Sequence, residues 1–368
     1  MQNLIPPNPS QLAVIKELEE SLNIEIPQHE FVGSNSSVIG FYVESTGQIS
    51  RINLNKTGVK NEDLEIITKL SDLITLHLAD NKITDIKNLK KLTKLEYDLD
   101  LSNNQIIKIE GLENLTELYN INLNGNQITE IEGLEKLTKL QVLFLNYNKI
   151  TKIENLDKLT NLRYIHLGSN EITKIEGLNN LTKLEQLLLN YNKITKIEGL
   201  EGSGVVGFGG LTKLKYLHLD NNKITEFQGL EDLTSLELLY LNDNQISEIK
   251  KLDELMSLRS FFIYNNQITE TKDIEVLFRL KGFKLGNQNI ASNSQNSTTL
   301  VNSQNSPSLS TFQSSSSQNS DSSISVQTNN HQYDFISSWW FPFLIAIILI
   351  PVLTVIGIKY FSNKFPRI

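Results

Sequence analysis

The sequence predicts an α/β solenoid. Each short coil gives one strand to a parallel sheet on the concave side and a 3₁₀ or helical turn to the convex side. Three observations predict this. A phrase of apolar residues returns every 22 positions, most cleanly as Leu140-x-x-Leu143-x-Leu145-x-x-Asn148-x-Ile150-x-x-Ile153-x-x-Leu156, then from Leu162 to Leu178 and from Leu184 to Leu200. Within it, Leu-x-Leu alternates with the period of a strand, while Ile-x-x-Ile-x-x-Leu steps by three. One polar residue recurs at a fixed offset, as Asn81, Asn104, Asn126, Asn148, Asn170, Asn192, Asn222, Asn244 and Asn266.

Each feature has a physical reading. A lone coil cannot bury its own leucines, so coils stack and stability comes from nearest neighbours. Strands in the sheet then lie about 4.8 Å apart. In the strand segment Leu143 and Leu145 point inward, and Val142, Phe144 and Asn146 point outward. The recurrent Asn carries amide donors and an acceptor, which suits backbone groups stranded where the coil turns; the expectation is a buried ladder. A period in the twenties with this pattern is that of a leucine-rich repeat.

The phrase Ile-Thr-Lys-Ile-Glu-Gly-Leu at 172–178 and 194–200 resembles the 22-residue leucine-rich-repeat class found in the nuclear regulatory subunit of protein phosphatase 1 and in bacterial internalins. The resemblance covers Ile49 to about Ile290. It implies a concave surface presented to protein partners, and a phosphatase-like enzyme is one partner it suggests.

Residues 1–48 are expected to cap the open end of the stack. Leu12, Ile15, Leu18 and Leu22 share one face of a helix over 10–22 with Ser10 as its cap. Two strands over 38–43 and 48–54 flank a turn at 44–47. The solenoid occupies 49–290 in about eleven coils. Coil one has Thr57 where Asn belongs. Coil three has one extra residue between Leu95 and Leu99, which predicts a bulge before its strand. Coil seven ends in an insertion containing Gly202, Gly204, Gly207, Gly209 and Gly210. Its G-x-G-x-x-G spelling interrupts a repeat instead of joining a strand to a helix N-terminus, so it reads as a flexible or partner-contacting loop and not as a nucleotide site. Coil eleven, 280–290, has Gln288 at the Asn position and is worn.

Residues 291–337 are dominated by Ser, Asn, Gln and Thr, a composition that predicts a disordered linker. A transmembrane helix is expected over 338–361, followed by a basic tail at 362–368. Residues 339–358 carry no charge and would span about 30 Å. Trp339 and Trp340 at one end, and Tyr360 and Phe361 at the other, suit the two interfaces with a lipid bilayer.

Two topology rules disagree. Lys359, Lys364 and Arg367 follow the span and would hold the C-terminus in the cytoplasm, leaving the repeats outside. The first residues lack a basic and apolar leader, which favours a tail anchor with cytosolic repeats. The second is the leading expectation: a single-pass membrane protein with repeats facing the cytosol. A cell-surface adhesion or recognition receptor is the alternative.

The chain has no cysteine and a net charge of −8. Residues 289–368 hold Lys359, Lys364 and Arg367 against Asp321 and Asp334, so the negative excess lies in residues 1–288. An acidic solenoid is a poor match for nucleic acid. No catalytic motif and no cofactor site is recognisable. The central outward column, Asn53, His77, Asp100, Asn122, Phe144, His166, Leu188, His218, Tyr240, Phe262 and Lys284, turns from polar to aromatic along the stack. Val142, Tyr164, Tyr216 and Leu238 flank it on one side and Tyr264 on the other, with Tyr147 and Tyr191 just past the strands. These aromatic and apolar residues of coils five to ten are the expected site for a protein or peptide partner, as exposed aromatics in register. His77, His166 and His218 share the column, but the strand spacing keeps them too far apart for a metal ion.

Overall fold

The stack begins from a helix, not from a strand. In the computed structural model, which describes residues 4–30, 38–200, 202–205, 208–249 and 252–268, helix α1 runs Pro9–Leu22. Asn8 caps it, accepting from the Ser10 amide at 3.1 Å and from its hydroxyl at 2.9 Å, and Pro9 opens the first turn. The cap is therefore Asn8 and not Ser10, because Pro9 has no amide to satisfy and Asn8 reaches past it. The buried face also differs from the expected one: Gln11, Val14, Ile15 and Leu18 face inward, and Leu12 is only half-buried. Gln11 is buried because its amide joins α1 to the first coils. It accepts from the Ile49 amide at 2.6 Å and donates to Asp72 at 3.0 Å.

Strands β1 (Gln28–His29), β2 (Gly40–Val43) and β3 (Ile49–Asn53) follow. β2 and β3 are antiparallel around the expected turn, and β1 adds parallel to β2 at the end of the sheet. Helix α2 (Asn61–Ile67), which the sequence pattern did not single out, packs in coil one beside α1, where Lys69 pairs with Glu17 at 2.6 Å. Each later coil gives one three-residue strand: β4 (Thr75–His77), β5 (Asp98–Asp100), β6 (Asn120–Asn122), β7 (Val142–Phe144), β8 (Tyr164–His166) and β9 (Gln186–Leu188). The insertion forms a short antiparallel hairpin of β10 (Gly202–Val205) and β11 (Phe208–Gly209), so its described residues pair with each other. β12 (Tyr216–His218), β13 (Leu238–Tyr240) and β14 (Ser260–Phe262) complete a 12-stranded sheet. β9 pairs directly with β12, so the insertion leaves the stack unbroken. The extra residue of coil three is absorbed as a bend at Tyr97, ahead of β5, and the register from β4 to β5 continues.

The core is one column of middle strand residues, Ile52, Leu76, Leu99, Ile121, Leu143, Ile165, Leu187, Leu217, Leu239 and Phe261, with the Ile and Leu of each convex half behind it, nearly all excluded from solvent. Full burial of such a side chain is worth about 1.5–3 kcal/mol, and each one is shared with the next coil.

The Asn ladder closes each coil. Asn170 shows the pattern. Its Nδ2 donates to Leu145 O at 2.9 Å in the preceding coil and to Leu167 O at 3.1 Å in its own. Its Oδ1 accepts from the Ile150 amide at 3.0 Å. In coil one Thr57 takes part of this role, donating to Leu54 O at 2.7 Å.

The convex side is less helical than the step of three suggests. Among the described residues its 3₁₀ helices are Lys87–Lys91 and Leu252–Glu254. Elsewhere single turns follow one another, such as Leu137 N to Leu134 O at 2.9 Å and Leu140 N to Leu137 O at 3.0 Å. A left-handed residue interrupts the convex half of coils three to eight. At Gly177 (φ 72°) a Cβ would lie 2.6 Å from Ile153 O of the coil before. Coil five has Asn155 there (φ 61°), which donates to the equivalent Ile131 O at 2.7 Å. The fold is thus a parallel-sheet β-solenoid.

The described residues lie in the first of two compact units, Met1–Ser294, and the second, Gln295–Ile368, lies wholly outside them. Coil eleven with Lys284, the linker at 291–337, the expected span at 338–361 and the tail at 362–368 are therefore outside the described residues. Among the described residues no helix is long and apolar enough to cross a membrane.

The ladder makes a prediction. Asn170→Ala leaves the buried Ile150 amide without its partner, at about 1–3 kcal/mol, and takes one of two donors from Leu145 O and Leu167 O, which keep Asn148 and Asn192. Urea unfolding should show a loss of at least about 2 kcal/mol. A loss below about 0.5 kcal/mol, the level of an ordinary surface substitution, would contradict the ladder's role.

Candidate protein-binding face

Strand register fixes which outward side chains stand beside one another. From β3 to β14 the central column is Asn53, His77, Asp100, Asn122, Phe144, His166, Leu188, His218, Tyr240 and Phe262, as the sequence indicated. The flanking column brings Val142, Tyr164, Gln186, Tyr216 and Leu238 side by side.

The expectation that these aromatics are exposed needs correction. Val142, Tyr164 and His166 are buried. Phe144, Leu188, Tyr216, His218, Leu238, Tyr240, Phe262 and Tyr264 are half-buried. The cause is the strand spacing, which sets rings in one column face to face. Phe144 stacks on His166 with centroids 4.4 Å apart, His218 lies 4.4 Å from Tyr240, and Tyr240 stacks on Phe262 at 4.4 Å and 5°. The column therefore presents ring edges. Of the expected site residues, only Tyr147 (59% exposed) and Tyr191 (44%) stand out into solvent.

The first half of the face is polar and internally bonded. His77 Nε2 meets Asp98 Oδ2 at 2.8 Å, and Asn120 donates to Asp98 Oδ1 at 2.9 Å. Asp100 accepts from the Ser102 amide and hydroxyl at 3.0 and 2.7 Å. Burial, then the Asp98 charge, pushes the Asp100 carboxyl above its ordinary range. Along the edge of coils six to eight, Glu185 joins Arg163 and Lys215 (Arg163 Nε 2.8 Å, Lys215 Nζ 3.3 Å), and Arg163 lies 5.6 Å over the Tyr164 ring. This ionic edge was not apparent from the repeat pattern, because its partners lie in adjacent coils. Among the described residues no three His, Asp or Glu side chains converge as metal ligands.

The histidines titrate in opposite senses. Burial, with a smaller push from His218, lowers His166 to about 3 against a hydrogen bond with Gln186. Burial lowers His218 to about 4. Burial also works against the charged form of His77, but the Asp98 hydrogen bond and the Asp98 and Asp100 charges outweigh it and raise the pKa. An unfolded chain titrates its histidines near about 6.5. The stability contributed by neutral His166 and His218 is therefore present above that pH and is lost as pH falls toward about 4 and 3. That contributed by His77 is present below about 6.5 and is lost as pH rises through its folded pKa. His166→Phe, which keeps a ring against Phe144, should flatten the fall in melting temperature between pH 6.5 and 4 by a few degrees relative to the parent. An unchanged slope would show that His166 does not carry it.

The comparisons with known proteins agree with this geometry. The family described as Leucine Rich repeats (2 copies) matches residues 71–114, 98–136, 116–158, 138–180, 160–202 and 182–233. No curated protein matches the sequence. Among solved structures, an internalin (inlF) of Listeria monocytogenes is 26% identical, with a TM-score of 0.51, over 78% of this chain and 93% of that one. An internalin C2 (inlC2) of the same organism is 28% identical, with a TM-score of 0.46, over 72% of this chain and 100% of that one. A leucine-rich-repeat protein of Leptospira interrogans is 25% identical, with a TM-score of 0.46, over 62% of this chain and 70% of that one. Residues 71–233 are leucine-rich repeats, stacked in a parallel-sheet solenoid with internalin-like structural neighbours.

Proposed function

We propose that the chain is a membrane-tethered scaffold or regulatory protein that binds a protein partner on the sheet face of coils five to ten. The observation that carries this reading is the column from Phe144 to Phe262. Its stacked, half-buried rings offer apolar area already fixed in position, so little side-chain entropy is lost on binding. The Arg163–Glu185–Lys215 edge supplies a polar rim, and an aromatic centre inside a polar rim is the usual anatomy of a protein interface. Leucine-rich repeats typically serve as interaction scaffolds, and we assign this one no reaction and no cofactor. The repeat resemblance suggests a phosphatase-like enzyme as the partner. The tether would be residues 339–358, whose uncharged length matches a bilayer core.

The face is tested with a photoreactive benzoylphenylalanine placed at position 216 or 240, and at 174 on the convex side as a control. Irradiation in cells should give protein adducts from 216 and 240 that are missing from 174. Identical adducts from all three positions, or none from the sheet face, would overturn the assignment. Mass spectrometry of the adduct shows whether a phosphatase-like enzyme is captured.

A second reading, an outward-facing recognition receptor, is favoured by one observation, the basic Lys359, Lys364 and Arg367 beyond the apolar run. Because the chain lacks cysteine, Ser315→Cys and Ser362→Cys can be probed singly in intact cells with an impermeant thiol reagent. Labelling at 362 alone places the repeats in the cytosol and supports the leading reading. Labelling at 315 alone places them outside and supports the receptor.

A further inference from the structure

In each described coil that carries a ladder Asn, the residue just before it has a left-handed backbone. It is Asp80, Asn103, Gly125, Tyr147, Ser169, Tyr191, Asn221, Asp243 and Asn265 along the stack, with φ between 53° and 65°. Gly, Asn and Asp tolerate this conformation, and a bulky side chain there is an outlier. Two coils carry tyrosine at this position, and they are the two whose rings are exposed. A bulky residue held in a disfavoured conformation with its ring exposed to this extent points to a use beyond holding the coil together.

The spacing of the pair says what it would hold. Tyr147 and Tyr191 are two strand steps apart, about 10 Å. The coil between them has the small residues Gly168 and Ser169. A Cβ at 168 would lie 2.6 Å from Asn190 Oδ1 and 3.1 Å from Asn146 Oδ1, so the floor between the rings is glycine backbone overhung by two amides. Two steps beyond Tyr191, along the same edge, stands Asp243. The edge is continuous, with Tyr191 N bonded to Asp220 O at 3.0 Å and Asn221 N to Asn242 O at 3.0 Å. Asp220 lies between Tyr191 and Asp243, and burial pushes its carboxyl up, with Asp243 adding to the effect. Neither carboxylate has a cationic partner among the described residues; their hydrogen bonds come from Asn221, Asn242 and Asn265.

A peptide lying along this edge must show one side chain about every 10 Å. A β-strand repeats a face at about 6.7 or 13 Å and misses this spacing. An α-helix returns after two turns, about 10.5 Å, but it would press an apolar ridge onto the amide floor and has no free backbone groups for it. A polyproline-II segment repeats a face every three residues, about 9.3 Å, and its backbone groups are unpaired.

We infer that the edge of coils five to nine is a docking groove for a polyproline-II peptide, with prolines three residues apart on Tyr147 and Tyr191 and a Lys or Arg three residues further on at Asp220 and Asp243. The groove deepens the protein-binding reading above and rests on it. Proline rings stack on tyrosine, the Asn146 and Asn190 amides meet the peptide backbone, and the acidic end fixes its direction.

The probe is a fluorescein-labelled peptide with prolines at its first and fourth positions, arginine at its seventh and alanine elsewhere, titrated against the full chain by anisotropy. Saturable binding is expected. Tyr147→Asn and Tyr191→Asn, which relax the backbone, should each weaken it at least tenfold while leaving the melting temperature equal or higher. Asp243→Asn should erase the preference for arginine over norleucine at the seventh position. The groove is overturned if no saturable binding occurs, if the tyrosine variants bind within twofold of the parent, or if an amphipathic helical peptide binds with the same tyrosine dependence. Photo-adducts at 216 and 240 that persist alongside any of these results would leave the protein-binding face standing and remove only this occupant.

Discussion

Every coil of this solenoid turns twice, and each turn strands backbone groups in an apolar interior. One amide per coil relieves most of that cost. The Asn81 to Asn266 ladder bonds carbonyls of two successive coils and an amide of the coil before, so each Asn fastens its own turn and sets its neighbour's position. The sheet, the buried leucine column and the spacing of the concave face follow from that repeated geometry.

The same spacing decides what the face can offer. Strands at their usual separation bring rings of one column into contact, so an aromatic sequence column becomes a packed wall with half its area hidden. The wall is rigid, and its polar continuation toward coil one is tied up in His77–Asp98–Asn120 bonds. More exposed surface lies just past the strands, where the chain turns through the left-handed region. Most coils put a small polar residue there. Coils five and seven put tyrosine there, and the face gains its most exposed aromatic groups.

Charge is distributed to match. Pairs such as Lys94–Asp72 and Lys193–Glu171 link residues in neighbouring coils on the outer faces, are partly exposed, and contribute little each. The buried histidines lie on the concave side, and the two halves of their column are shifted in opposite directions. The acidic half raises the pKa of its histidine, through Asp98 and Asp100 and against burial, and the aromatic half lowers those of its two histidines by burial.

Sequence alone determined the architecture, because a 22-residue phrase with an Asn recurring at one offset in nine coils admits few packings. The strand register, the Thr57 substitution, the position of the extra residue in coil three and the membership of the central column were all legible from periodicity; that the extra residue makes a bend and not a bulge was not. Tertiary structure decided what depends on neighbours. Asn8 caps α1 because Pro9 leaves it the first amide to reach, and Gln11 is buried because its amide finds Ile49 and Asp72. The convex halves of coils three to eight form isolated turns because a left-handed Gly or Asn lets each approach the carbonyl of the coil before. Exposure on the face could not be read from residue type, since a ring's exposure depends on the ring one strand away. The weight of Tyr147 and Tyr191 appeared only with their backbone angles. In the sequence they are two more aromatics in a column of asparagines and aspartates, and the coil geometry makes that position one where a tyrosine is strained.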